Sequence, residues 1–183
     1  SGQLEWEDAA ARFAARLAPA VAEARRLGIR LALENTLPVR ADISFTHTAA
    51  DTFALAEQVG IGVCLDLYCC WHERALGALL AAQHERIEIL QVSDFVVGTP
   101  TFPNRWVPGD ADLPLERLLS SALEAGYRGI VDIELLGPAI EHEGADIATF
   151  AKAIQARAAA AAIIDRAMPA VADAVQPEAT DAA

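Results

Sequence analysis

Four short aliphatic runs each end in a side chain that can bind a cation or move a proton. Leu31-Ala32-Leu33 precedes Glu34, Val63-Cys64-Leu65 precedes Asp66, Ile89-Leu90 precedes Gln91, and Val131-Asp132-Ile133 precedes Glu134. Side chains alternate between the two faces of an extended strand. Glu34 therefore shares a face with Ala32, Asp66 with Cys64, Gln91 with Ile89, and Glu134 with Asp132. The larger aliphatics fall on the opposite face, where they suit a helix layer. All four polar residues then project from the same end of their strands. Three carboxylates and one amide form an all-oxygen set whose mutual repulsion calls for a cation. Hard oxygen donors favour Mg2+ or Mn2+, with Co2+ and Zn2+ as alternatives. Singly, a carboxylate at a strand end more often caps a helix or pairs at the surface. The matched register of four is what points to a site.

The elements that must position these residues alternate along the chain. Helical spacing of apolar residues runs from about Glu7 to Leu27 and stops at Gly28. A strand over Ile29–Leu33 follows, then a loop with Pro38 and Asp42, and a helix from about Thr48 to Val59 closed by Gly60. The next strand, Gly62–Leu65, leads to a helix over about Glu73–His84. The third strand, Ile87–Leu90, is followed by a long loop, Thr99 to Leu113, rich in proline. Asp112 is the expected N-cap of the helix that begins at Pro114 and ends at Gly126. The fourth strand, Gly129–Ile133, precedes an Ala-rich helix over about Ala145–Ala167. Four strand–helix units joined by short turns predict parallel strands and right-handed crossovers, an α/β fold. Residues 1–167 form the expected domain and 168–183 an acidic tail.

Composition narrows the partners. The 183 residues carry a formal charge of −12, 54% hydrophobic and 6% aromatic residues. An Ala/Leu/Val/Ile core suits helices packed on a buried parallel sheet. The acidic balance disfavours nucleic acid and anionic membranes, since phosphate binding needs clustered Lys and Arg. No apolar stretch reaches the roughly 20 residues of a spanning helix. The N-terminal segment lacks a signal-peptide pattern. Cys64, Cys69 and Cys70 are too bunched for a disulfide framework or a zinc knuckle, so the expectation is a reduced, cytoplasmic protein with Cys64 packed as a small hydrophobe.

Leu33-Glu34-Asn35, Cys64-Leu65-Asp66, Gln91-Val92-Ser93-Asp94 and Asp132-Ile133-Glu134-Leu135 occur in the order of the C-terminal half of a known family. Asn104-Arg105-Trp106-Val107-Pro108-Gly109-Asp110, leading to Asp112-Leu113-Pro114-Leu115, is the most specific stretch, and Gly126-Tyr127-Arg128-Gly129 also fits. Over roughly Glu5 to Arg157 the chain resembles the xylose-isomerase-like TIM barrels, in particular the sugar phosphate isomerase/epimerase group. The resemblance implies half of a (β/α)8 barrel with Glu34, Asp66, Gln91 and Glu134 as metal ligands. It also implies isomerisation or epimerisation next to a carbonyl, through an enediolate, on a small-molecule sugar or polyol. Glu34 and Glu134 would transfer the proton, and Arg105 would hold a substrate hydroxyl or anionic group. His72, Trp71 and Trp106 are further substrate-contact candidates, each set against a plain surface or core role. Three positions depart from the pattern. Gln91 stands where many members have a histidine ligand, Cys69 where many have a substrate-contacting histidine, and Ala111 where glycine is usual. Dehydration of a cyclic polyol uses the same proton abstraction. The histidine-rich, multi-zinc endonucleases of this fold are a poor match, as the chain has four histidines.

A full barrel needs about 250 residues and eight strands. The expectation is therefore a fragment of a longer enzyme lacking its first four strands, or a homodimer that completes a barrel. A non-catalytic half-barrel that binds metal or sugar, or serves in assembly, is the competing reading.

Overall fold

The computed structural model describes residues 4–100, 102–138, 161–162 and 164. Nine elements follow in chain order: α1 (Trp6–Leu27), β1 (Ala32–Glu34), α2 (Ala49–Val59), β2 (Gly62–Asp66), α3 (Leu67–Cys70), α4 (Leu76–Gln83), β3 (Ile87–Val92), α5 (Leu115–Glu124) and β4 (Ile130–Ile133). The strands form one parallel sheet in the order β1-β2-β3-β4, as alternating strand and helix patterns predict. The fold is α/β, with four parallel strand–helix units. No helix among the described residues is long and apolar enough to cross a membrane.

Helix ends follow from local chemistry. Gly28 and Gly60 take the left-handed conformation, with φ of 70° and 76°, open to glycine at no steric cost. At each end the next residue turns its N–H back into the helix, Ile29 to the Ala24 carbonyl and Ile61 to that of Ala56. Because Ile29 belongs to this cap, β1 starts three residues later than the expected run. Thr48 caps α2 by accepting the Asp51 N–H at 3.0 Å.

Two details of the sequence reading are corrected. The chain after β2 does not wait until Glu73 to become helical. The Asp66 carboxylate accepts the Tyr68 N–H and caps the short α3, while Glu73 accepts the Ala49 N–H at the start of α2. Asp112 does not cap α5 either. Its carboxylate accepts the Val97 N–H at 2.9 Å, and Pro114 occupies the N-cap position. Of the expected final helix, only residues 161, 162 and 164 are described. They are helical, and Ile164 packs against the core. The acidic tail lies outside the described residues.

The two faces of the sheet have different fates. Val63, Leu65, Leu90 and Val92 are buried against Phe53 and Ala56 of α2, Leu76 and Leu80 of α4, and Leu115, Leu118 and Leu119 of α5. On the other face Glu34 and Asp132 are exposed, and Ile130 is 58% exposed. A bulge sits in β3: Val63 pairs with Ile87 and Cys64 with Ile89, leaving Glu88 as the extra residue. Beyond it, Asp66, Gln91 and Asp132 lie level across three strands.

Candidate active site

Glu34 ends β1, Asp66 ends β2, Gln91 lies one residue from the end of β3, and Glu134 follows β4. Ligand oxygens of Glu34, Asp66 and Glu134 all lie within 4.8 Å of one another. Neighbouring strands are about 4.8 Å apart, so the outer strands of a flat four-strand sheet would be separated by about 14 Å. The long side chains of Glu34 and Glu134 therefore reach inward over β2 and β3 from the two outer strands.

Asp66 is fully buried and densely bonded. Its Oδ1 accepts from the Tyr68 N–H at 3.0 Å and from Arg105 Nη1 at 3.2 Å, and its Oδ2 accepts from Arg105 Nη2 at 2.7 Å and the Cys69 thiol at 3.0 Å. Asn35 fixes its backbone: the Asn35 amide donates to the Asp66 carbonyl and its oxygen accepts the Asp66 N–H. Arg105, also buried, pairs with Glu134 at 2.9 Å, donates to Ser93 Oγ at 3.1 Å, and lies 4.3 Å from the centre of the Tyr68 ring. Its guanidinium is a fork spanning two of the three clustered carboxylates.

Among the described residues, Glu34 has no such cation of its own. Partial desolvation of its carboxyl within the cluster first, then the charges of Glu134 and Asp66, raise its pKa to about 7, against a smaller opposing pull from Arg105. Glu134 is raised as well, by burial, with Arg105 opposing. Burial and then the Glu34 and Asp66 charges push the Cys64 thiol up to about 12. All three cysteines are buried and free, and Cys64 packs as the small residue expected of it.

The remaining sequence candidates lie at varied distances from this centre. Gln91 shares the face and donates to Asp132 Oδ2 at 3.3 Å, while its own Oε1 is buried without a hydrogen-bond partner. Trp71 is half-buried and lines a cavity of about 200 Å³ with Leu37, Tyr68, Phe95 and Phe102. His72 is exposed beside it, its ring meeting Trp71 edge-on. Trp106 pairs through its backbone with Asp94. Sequence reasoning assigned no role to Asn35, Ser93, Asp94 or Asp132. Asp132 was legible from alternation, since it shares the inner face with Glu134. The other three act through contacts distant in sequence.

The pattern of xylose isomerase-like TIM barrels matches residues 2–162. The chain belongs to the xylose isomerase-like TIM barrel family. Within that family it is similar to an inosose isomerase of Halalkalibacterium halodurans, at 32% identity over 125 residues, 63% of this chain and 42% of the relative. A xylose isomerase domain protein from Alicyclobacillus acidocaldarius superposes with a TM-score of 0.68 at 25% identity, covering 90% of this chain and 61% of that one. The IOLI protein, solved with a bound zinc atom, shares the fold with a TM-score of 0.67 at 22% identity, over 84% and 55% of the two chains. The chain thus spans about half the length of these relatives. Four parallel strands in place of eight agree with a partial barrel of the xylose isomerase-like type.

Proposed function

We propose that this chain carries the metal centre of a sugar or polyol isomerase/epimerase that moves a proton at the carbon next to a carbonyl. The observation behind this reading is the convergence of Glu34, Asp66 and Glu134 at the C-terminal ends of parallel strands, where barrel enzymes place their chemistry. With all three ionised and Arg105 beside them, the group carries two net negative charges, the complement of one divalent cation. The unpartnered Oε1 of Gln91 adds an acceptor on the same face. Three carboxylates and an amide are hard donors, which supports Mg2+ or Mn2+ ahead of Co2+ or Zn2+. The zinc-bound IOLI protein has the same fold. Bound here, the ion would polarise the substrate carbonyl and offset the charge that proton removal creates.

The chain's own residues would do the rest. Glu34, with a carboxyl that holds its proton up to about pH 7, suits proton exchange near neutrality. Glu134 reaches the same centre from the far edge of the sheet, so the pair can address opposite sides of one carbon. Arg105 would meet a substrate oxygen while balancing Asp66 and Glu134. Trp71 and His72 would contact more distant parts of the substrate. Similarity to an inosose isomerase favours a sugar or cyclic polyol as substrate. Because this chain covers 42% of that relative, a half-barrel that binds metal without turnover is the second reading.

Thermal unfolding with and without Mn2+ or Mg2+ tests the centre. A melting point raised by the ion in the wild-type protein and unmoved in Asp66→Ala supports it. No response to any divalent ion removes the metal reading. Turnover of a keto-polyol by the ion-loaded wild-type protein, abolished in Glu34→Gln and Glu134→Gln, separates the enzyme from a half-barrel that binds the ion without turnover.

A further inference from the structure

Asp94 is 1% exposed and ionisable, yet it takes no part in the carboxylate cluster. Its two oxygens are spent on backbone. Oδ1 accepts the N–H groups of Phe95 and Leu113, each at 2.8 Å, and Oδ2 accepts those of Gly109 at 2.9 Å and Ala111 at 3.2 Å. Its own N–H and carbonyl pair with the carbonyl and N–H of Trp106, at 2.9 and 3.0 Å. One residue therefore gathers both ends of the segment from 105 to 113. A neutral side chain with one acceptor oxygen cannot replace it, because four donors converge on two oxygens.

The neighbours of these contacts give the knot a purpose. Ser93, next to Asp94, accepts from Arg105 Nη1, and Arg105, next to Trp106, donates its backbone N–H to the Leu136 carbonyl. The Asp94–Trp106 bridge thus sets where the Arg105 side chain leaves the backbone. The Asp112 N–H to Phe95 carbonyl bond, at 3.1 Å, joins the same two stretches with a single contact, where Asp94 makes several. Gly109 donates to Asp94 from a φ of 91°, a conformation other residues adopt only under strain.

We infer that Asp94 is a positioning residue, which by tying down the backbone of residues 105 to 113 holds the Arg105 guanidinium between Asp66 and Glu134. Its significance for catalysis rests on the function proposed above, but the positioning itself does not. Asp94→Asn exchanges one acceptor oxygen for an NH2 that faces backbone donors, so the loop must loosen.

The direct test is the Arg105 Nε–H resonance in a nitrogen–proton NMR spectrum of the full chain, assigned by its loss in Arg105→Lys. Packed against the Tyr68 ring, this signal is expected apart from those of solvated arginines. In Asp94→Asn it should move to the solvated position, while Asp112→Asn, at the other carboxylate in the same loop, leaves it in place. Gly109→Ala keeps the carboxylate and should cause a partial shift in the same direction, which serves if Asp94→Asn does not fold. An unmoved Arg105 signal in a folded Asp94→Asn or Gly109→Ala protein overturns the inference. In an active enzyme, Asp94→Asn should lower kcat at least tenfold in the wild-type background and have no further effect in Arg105→Gln. Equal losses in both backgrounds would make Asp94 a purely structural residue. If no substrate turns over, the functional reading has failed and the NMR result still decides the positioning role.

Discussion

At the scale of single residues, the site is a problem of uncompensated charge. Arg105 answers for Asp66 and Glu134, and Glu34 is left to hold its proton. The Glu34 carboxyl has an ordinary value of 4.5 when the chain is unfolded and about 7 in the fold. Below pH 4.5 both states are protonated and the group has no effect on stability. Between 4.5 and 7 the unfolded chain releases the proton while the folded chain retains it, so stability falls as pH rises through this window and levels off above it. Denaturant titrations without divalent ions should show this decline, and Glu34→Gln should flatten it. An unchanged slope in that variant would place the effect on another group. A bound divalent ion should also remove the decline, because it favours the ionised carboxylate.

At the scale of elements, the end of β1 is held by a side chain in addition to its ladder. β1 has only three residues, and its tie to β2 at the site is Asn35, fully buried and bonded to both backbone groups of Asp66. Asn35→Leu leaves the buried Asp66 N–H unpaired, at about 1–3 kcal/mol, while the Asp66 carbonyl keeps the Cys70 thiol as donor at 3.2 Å. A loss of about 1–3 kcal/mol in urea unfolding is expected. Asn35→Asp keeps the acceptor, loses the donor and adds charge next to Asp66, so it should not rescue. How much of this was legible follows from the range of each interaction. Glu34, Asp66, Gln91 and Glu134 could be placed on one face because alternation along a strand is local. The caps at Gly28, Thr48 and Gly60 were equally local. α3 was hidden because Leu67-Tyr68-Cys69-Cys70 prolongs an apolar run and its cap, Asp66, was already assigned as a ligand. The displacement of Asp112 to Val97, and the reach of Arg105 to Asp66 across 39 positions, depend on how a proline-rich loop folds back. Spacing alone carries no information on that.

At the scale of the whole molecule, the inner face of the sheet is uncovered among the described residues. Ile130 is 58% exposed, Ile89 lies beside it in register, and β1 and β4 are sheet edges among the described residues. Apolar surface and unpaired edges of this kind promote association. Light scattering over rising protein concentration should give a mass above that of one chain, and Ile130→Lys should bring it back toward the monomer. A strictly monomeric wild-type protein would mean that this face is covered by segments outside the described residues. The bulge at Glu88 bears on a different property, the tolerance of the sheet to insertion and deletion. Regular strands cannot lose a residue without turning every following side chain over. β3 can, at this one position, because Glu88 is surplus to the pairing with β2 and its ion pair is with a largely exposed Arg30. Removing Glu88 should leave Ile87 facing the helices and Gln91 level with Asp66, whereas removing Leu90 should unfold the protein. The alignment of the centre is thus independent of this extra residue, and length variation at this point in related sequences need not signal a different site.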